Sequence, residues 1–265
     1  MVVSRRMKHI CIILLFILLS IVVQHYMGKY LYKLAYMLYP FYKIVDPDNV
    51  FMYLVLHHIF QAIIFLILIW ITAKLSHLKF RDFGFNLNDY KTSIKYTIIF
   101  CTIWTIIQFS AAYIMVKNGA VFGMGFTVNS RNVIGYLLFE ILLSGTSEEL
   151  FFRGFIITVL LILLKNYYKK KSALYTTVIL LSIINFMIGH IGYQLFPPQI
   201  TYISGLQQLT VIISAVVYGI TFLKTKSLLG PILMHNILNG IITLSGLLVQ
   251  HQDLTLLHLV MRITL

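Results

Sequence analysis

Charge is what this chain has least of. Only 11% of its 265 residues are charged, where a soluble domain carries about 25%. With 59% apolar residues and a mean hydropathy of +0.88, a water-soluble globule is excluded, because too much apolar surface would face solvent. Acidic residues number 8, and only Glu140, Glu148 and Glu149 are glutamates. Cysteine is almost missing as well. Cys11 and Cys101 lie in apolar runs with no metal-ligand spacing, which excludes a disulfide framework and a cysteine-based metal site. No low-complexity linker and no internal repeat is found. No inverted repeat or pair of broken helices points to a transporter. The net charge of +13 does not indicate nucleic acid, because the basic residues are scattered over short loops instead of gathered on one face.

What is present is a series of apolar runs. About 20 apolar residues are needed to cross a bilayer as a helix. Seven runs qualify, at 9–28, 50–74, 94–116, 132–164, 173–195, 203–223 and 227–249. The first follows Arg5, Arg6 and Lys8 but lacks a small-residue cleavage site after it, so a retained helix is expected. Residues 29–45 mix Lys, Tyr and Leu and are expected to form an interfacial helix or a partial extra span. The predicted fold is therefore all-α, a polytopic transmembrane bundle of about 7–8 spans. Three regions are expected: N-terminal helices and interfacial segment over 1–130, a core over 131–249 and a tail over 250–265. Placing the N-terminus in the cytoplasm puts 14 Lys and Arg inside and 6 outside, with Arg153 within a span. That bias predicts a multi-pass cell-membrane protein with a cytoplasmic N-terminus.

Ionisable residues inside spans are costly and point to function by default. All three glutamates fall in the fourth span, which reads Ser147-Glu148-Glu149-Leu150-Phe151-Phe152-Arg153. Glu149 and Arg153 are four apart, share a helix face and are expected to form a structural ion pair. Glu148 is rotated by about 100° and must find its partners elsewhere. The alternative is one buried structural network. Candidate partners are His190 in the fifth span, and His235 and Asn239 in the seventh, four apart and able to donate hydrogen bonds from one face. Glu148 lies 17 residues before Lys165 and His190 lies 19 after Lys171, so unbroken helices place both about 25–28 Å from that flank. His235, only 9 residues past Lys226, does not match this depth, and a helix break at Gly230-Pro231 is one way to resolve it. His57 and His58 in the second span either line a cavity or pack, and packing is the favoured reading. Asn185 and Tyr193 are candidates to orient His190.

At these residues the chain resembles the CPBP group of intramembrane glutamic proteases, which includes type II CAAX prenyl endopeptidases and bacterial Abi proteins. The pattern Glu-Glu-x-x-x-Arg, Phe-x-x-x-His and His-x-x-x-Asn is met by Glu148, Glu149 and Arg153, then Phe186 and His190, then His235 and Asn239. The resemblance implies a helical peptidase acting on a membrane-associated peptide or protein. It implies that Glu148 and His190 activate a water while His235 and Asn239 hold the oxyanion. No His-Glu-x-x-His motif is present, so a metal-free site is expected, with zinc as the alternative. A non-enzymatic role, in bacteriocin self-immunity or regulation of a membrane partner, is the competing reading.

Overall fold

The computed structural model describes residues 5–120 and 123–252, without the side chains of residues 5, 6, 8 and 9. Seven long helices form one bundle. They are α1 (Arg5–Met37), α2 (Met52–Leu75), α3 (Tyr90–Lys117), α4 (residues 130–164), α5 (Lys171–Gly189), α6 (Gly205–Thr225) and α7 (Leu229–His251). All but α4 qualify on their own as membrane spans by length and hydropathy. The fourth run is also one helical rod, but two π-wound stretches, Glu140–Ser144 and Leu150–Ile157, divide it. From residue 253 onward the expected tail, with Arg262, lies outside the described residues.

The segment expected to lie at the interface is mostly a continuation of α1, which runs unbroken through Met37. Nothing stops a helix there until Pro40, which sits in the first turn of the short helix Tyr39–Tyr42 and cannot continue the preceding one. The chain then turns on Asp46, whose fully buried carboxylate accepts from the N–H groups of Val50, Phe51 and Met52 at 2.7–2.9 Å. That caps the start of α2 by the charge-assisted version of an N-cap.

The expected fifth span also needs correcting. α5 stops at Gly189, and a two-stranded antiparallel hairpin follows, β1 (Gly192–Gln194) and β2 (Gln199–Tyr202). Pro197 and Pro198 at its turn forbid helix, which apolar composition alone does not reveal.

α4 runs through the middle of the bundle. Its π-wound half packs Phe151, Ile156 and Ile157 against Phe65 of α2, Val178 of α5 and Phe222 of α6. A second core joins α3, α6 and α7 through Phe100, Trp104, Tyr218, Met234 and Leu238. Burying these side chains against one another leaves the apolar outer faces, such as Leu14, Leu15 and Leu18 of α1, for lipid.

One end of the bundle is stitched shut. The Leu228 N–H donates to the Gly84 carbonyl at 3.0 Å. The Ser227 hydroxyl donates to the Asn86 carbonyl, and the Asn86 amide donates to the Lys226 carbonyl. Gly84 has φ +95°, and a Cβ there would lie 2.6 Å from the Phe222 ring, so only glycine lets the loop approach this closely. The N-terminus of α7 therefore starts beneath the 79–89 loop. Pro231 sits in its first turn, where its missing N–H costs nothing, and the helix is not broken there. The expected break at Gly230-Pro231 is therefore absent and does not account for the depth of His235.

Candidate active site

Two π-wound stretches flank the five-residue α segment Gly145–Glu149, an arrangement often found at functional positions. Gly145 lets α7 come close. A Cβ there would meet the His235 side chain at 2.5 Å and the Asn236 oxygen at 2.8 Å. The Gly145 N–H donates to the Asn236 side-chain oxygen at 2.7 Å.

Glu148 and Glu149 then diverge, as helix rotation requires. Glu149 and Arg153 are fully buried and paired at 2.8 Å. The guanidinium lies 4.4 Å from the Phe186 ring and 5.0 Å from that of Tyr218, so the cation is enclosed by two aromatic faces. Glu149 has a second partner: its Oε1 also accepts from Nδ1 of His235 at 2.8 Å. A carboxylate so buried is an acceptor, so this contact sets the tautomer and tilt of His235. Phe186 is likewise double-duty. Its carbonyl accepts from Nδ1 of His190 at 2.8 Å, which leaves Nε2 of the neutral ring as a lone-pair nitrogen.

The two Nε2 atoms converge on Glu148. Each lies 3.9 Å from Glu148 Oε2, and that oxygen is buried without a hydrogen bond. His190 is placed by the end of α5, as the residue following its last turn, and Gln208 of α6 donates to its carbonyl at 3.1 Å. Asn185 and Tyr193 do not orient it. Asn185 accepts from Ser20 and Gln24 of α1, and the Tyr193 hydroxyl donates to the Ile21 carbonyl; both tie α1 to α5 and its hairpin. Asn239 donates to the Ser144 hydroxyl at 2.8 Å, one turn of α4 before Glu148.

Glu148 and His190 open on a cavity of about 690 Å³ walled by α1, α2, α4 and the hairpin. His57 and His58 belong to that wall. The His57 ring stacks on Tyr32 at 3.6 Å. His58 Nδ1 bonds the buried Ser147 hydroxyl at 2.8 Å, and Ser147 donates on to Gln61 at 2.8 Å. The sequence carries a signal for this group in hindsight: His57, His58 and Gln61 are polar residues in the otherwise apolar stretch from Leu54 to Ile71, and such residues face a cavity or a partner helix.

Zinc ligands lie about 2.0–2.2 Å from the ion, so a tetrahedral set sits about 3.3–3.6 Å apart. The 3.9 Å separations at Glu148 are wider, and among the described residues no three His, Cys, Asp or Glu side chains are grouped to hold an ion.

The fold and the site define a class, a multi-pass helical membrane protein with a glutamate facing two imidazoles at the base of a cavity. Residues 129–241 match the family model described as type II CAAX prenyl endopeptidase Rce1-like. The matched stretch is somewhat less than half of the chain, and over it the chain is similar to the CAAX-protease family. Glu148, Glu149, Arg153, Phe186, His190, His235 and Asn239 all fall inside the match. No curated protein and no solved structure matches the chain.

Proposed function

We propose that this protein hydrolyses a peptide bond in a membrane-associated peptide or protein, without a metal, using a water held between Glu148 and His190. The observation that carries the reading is the convergence of both imidazoles on Glu148 Oε2 at 3.9 Å, beside a cavity. A gap of that size is too wide for direct hydrogen bonds and suits a shared water about 2.8 Å from each group.

In this mechanism the water oxygen bonds to the scissile carbonyl carbon. One water proton passes to the Glu148 carboxylate, while the other is held by the lone pair on His190 Nε2. The carbonyl oxygen becomes an oxyanion facing His235. Because His235 Nδ1 is committed to Glu149, Nε2 donates only when the ring carries both protons. Glu149 at 2.8 Å and Glu148 at 3.9 Å provide the negative charge that such an imidazolium requires, and Arg153 balances the remainder. On collapse the C–N bond breaks, and Glu148 returns its proton to the leaving nitrogen. Asn239 supports the oxyanion side by holding α7 against Ser144.

Glu148→Ala and His190→Ala should each lower processing by a factor of about 10² to 10⁴, the usual worth of a positioned acid or base, with insertion and accumulation unchanged. The measurement is a comparison of membrane and secreted peptides between cells carrying the active and the Glu148→Ala forms. Undiminished processing, or full biological activity of Glu148→Gln, would replace this reading with a non-enzymatic one such as self-immunity or regulation of a membrane partner.

A further inference from the structure

The cavity and most of the basic residues occupy opposite ends of the molecule, Lys29 at the cavity itself being an exception. Its wall comes from the last third of α1, the first half of α2 and the hairpin beyond α5. Exposed members of that wall, among them Tyr26, Lys29, Gln194 and Phe196, form its mouth. The other way is closed. Phe65 and Phe151 are stacked at 4.3 Å, both buried, and Phe152 packs beside them on Phe186. Beyond this aromatic floor lies the stitched end, with the Lys and Arg residues of 74–95, 165–171 and 224–226. Arg5, Arg6 and Lys8 precede or open α1 at that same end. Lys and Arg in short loops remain on the cytoplasmic side. The loops concerned are short enough for the rule to hold, since the longest, between α2 and α3, covers residues 76–89.

We infer that the cavity opens to the extracytoplasmic side, and that the substrate is a peptide segment presented at the outer leaflet, such as an exported peptide or the outer end of a membrane protein. The peptidase reading supplies the word substrate; the placement of the mouth stands without it. The hairpin fits that station, because Phe196, Ile200 and Tyr202 are exposed apolar side chains at the rim, where aromatic and apolar residues meet the bilayer surface.

The test uses the full chain in cells, with Cys11 and Cys101 replaced by Ser and a single cysteine introduced as Gln194→Cys at the mouth or Lys79→Cys at the stitched end. A membrane-impermeant maleimide should label Gln194→Cys in intact cells, and Lys79→Cys only in inverted vesicles. The reverse pattern, or labelling of Gln194→Cys in inverted vesicles alone, overturns the inference. The same labelling on a Glu148→Ala background should be unchanged, since it does not depend on chemistry. New termini generated by the active form and not by Glu148→Ala should map to outer segments of their parent proteins. Termini in cytoplasmic segments overturn the inference and leave the peptidase standing. Correct labelling with no new termini does the opposite.

Discussion

Of all the site contacts, the one most visible in sequence was Glu149–Arg153, because i,i+4 partners share a helix face whatever surrounds them. The second partner of Glu149 was not visible. His235 reaches it from another helix, and spacing within one helix says nothing about what lies across from it. The same limit hid the Ser147–His58 contact. Removing the Arg153 guanidinium leaves Glu149 buried and half-paired, so Arg153→Met should destabilise the protein by about 3–5 kcal/mol, read as a lower unfolding midpoint in detergent. Arg153→Lys should recover little of this, because a point ammonium does not lie flat between Phe186 and Tyr218. Asn239 allows a sharper distinction. If it acts by seating α7 on Ser144, then Asn239→Ala and Ser144→Ala should lower activity by similar factors of about ten or less, one neutral hydrogen bond being worth about 1 kcal/mol. A loss of about a hundredfold or more in Asn239→Ala alone would instead mark it as a direct oxyanion donor.

Hydropathy located every spanning helix, since the apolar runs at 9–28 through 227–249 each contain or overlap one. Helix ends and internal winding were less legible. α1 outlasts its most apolar part because Tyr, Lys and Leu still favour helix until Pro40. The π winding of α4 leaves no mark in an apolar pattern, and neither does the close fit of α4 against α7. That fit is measurable at Gly145. Gly145→Ala should push the His235 ring out of place and cut activity by about tenfold or more, as displacement of a reacting group by about 1 Å costs up to a hundredfold. Gly205→Ala, where a Cβ meets nothing within 4 Å, should leave activity unchanged. A comparison of the two in one peptide-processing assay separates close helix approach from a general loss of helix flexibility.

At the scale of the whole molecule, the two ends of the bundle differ in construction. The lysine-bearing end is laced by one backbone and two side-chain-to-backbone hydrogen bonds between residues 84–86 and 226–228. The other is bounded by a hairpin held to α1 through the Tyr193 hydroxyl and the Tyr193–His25 ring contact. Charge bias in the sequence anticipated that the ends would be unlike, but not which one the cavity would serve, because that depends on where His190 leaves α5. The aromatic floor formed by Phe65, Phe151 and Phe152 makes the chamber blind. In kinetic terms, a blind chamber has one doorway for arrival and departure. Under the proposed peptidase activity a cleaved fragment must clear it before the next chain enters, so added product should compete with substrate, raising KM and leaving kcat untouched.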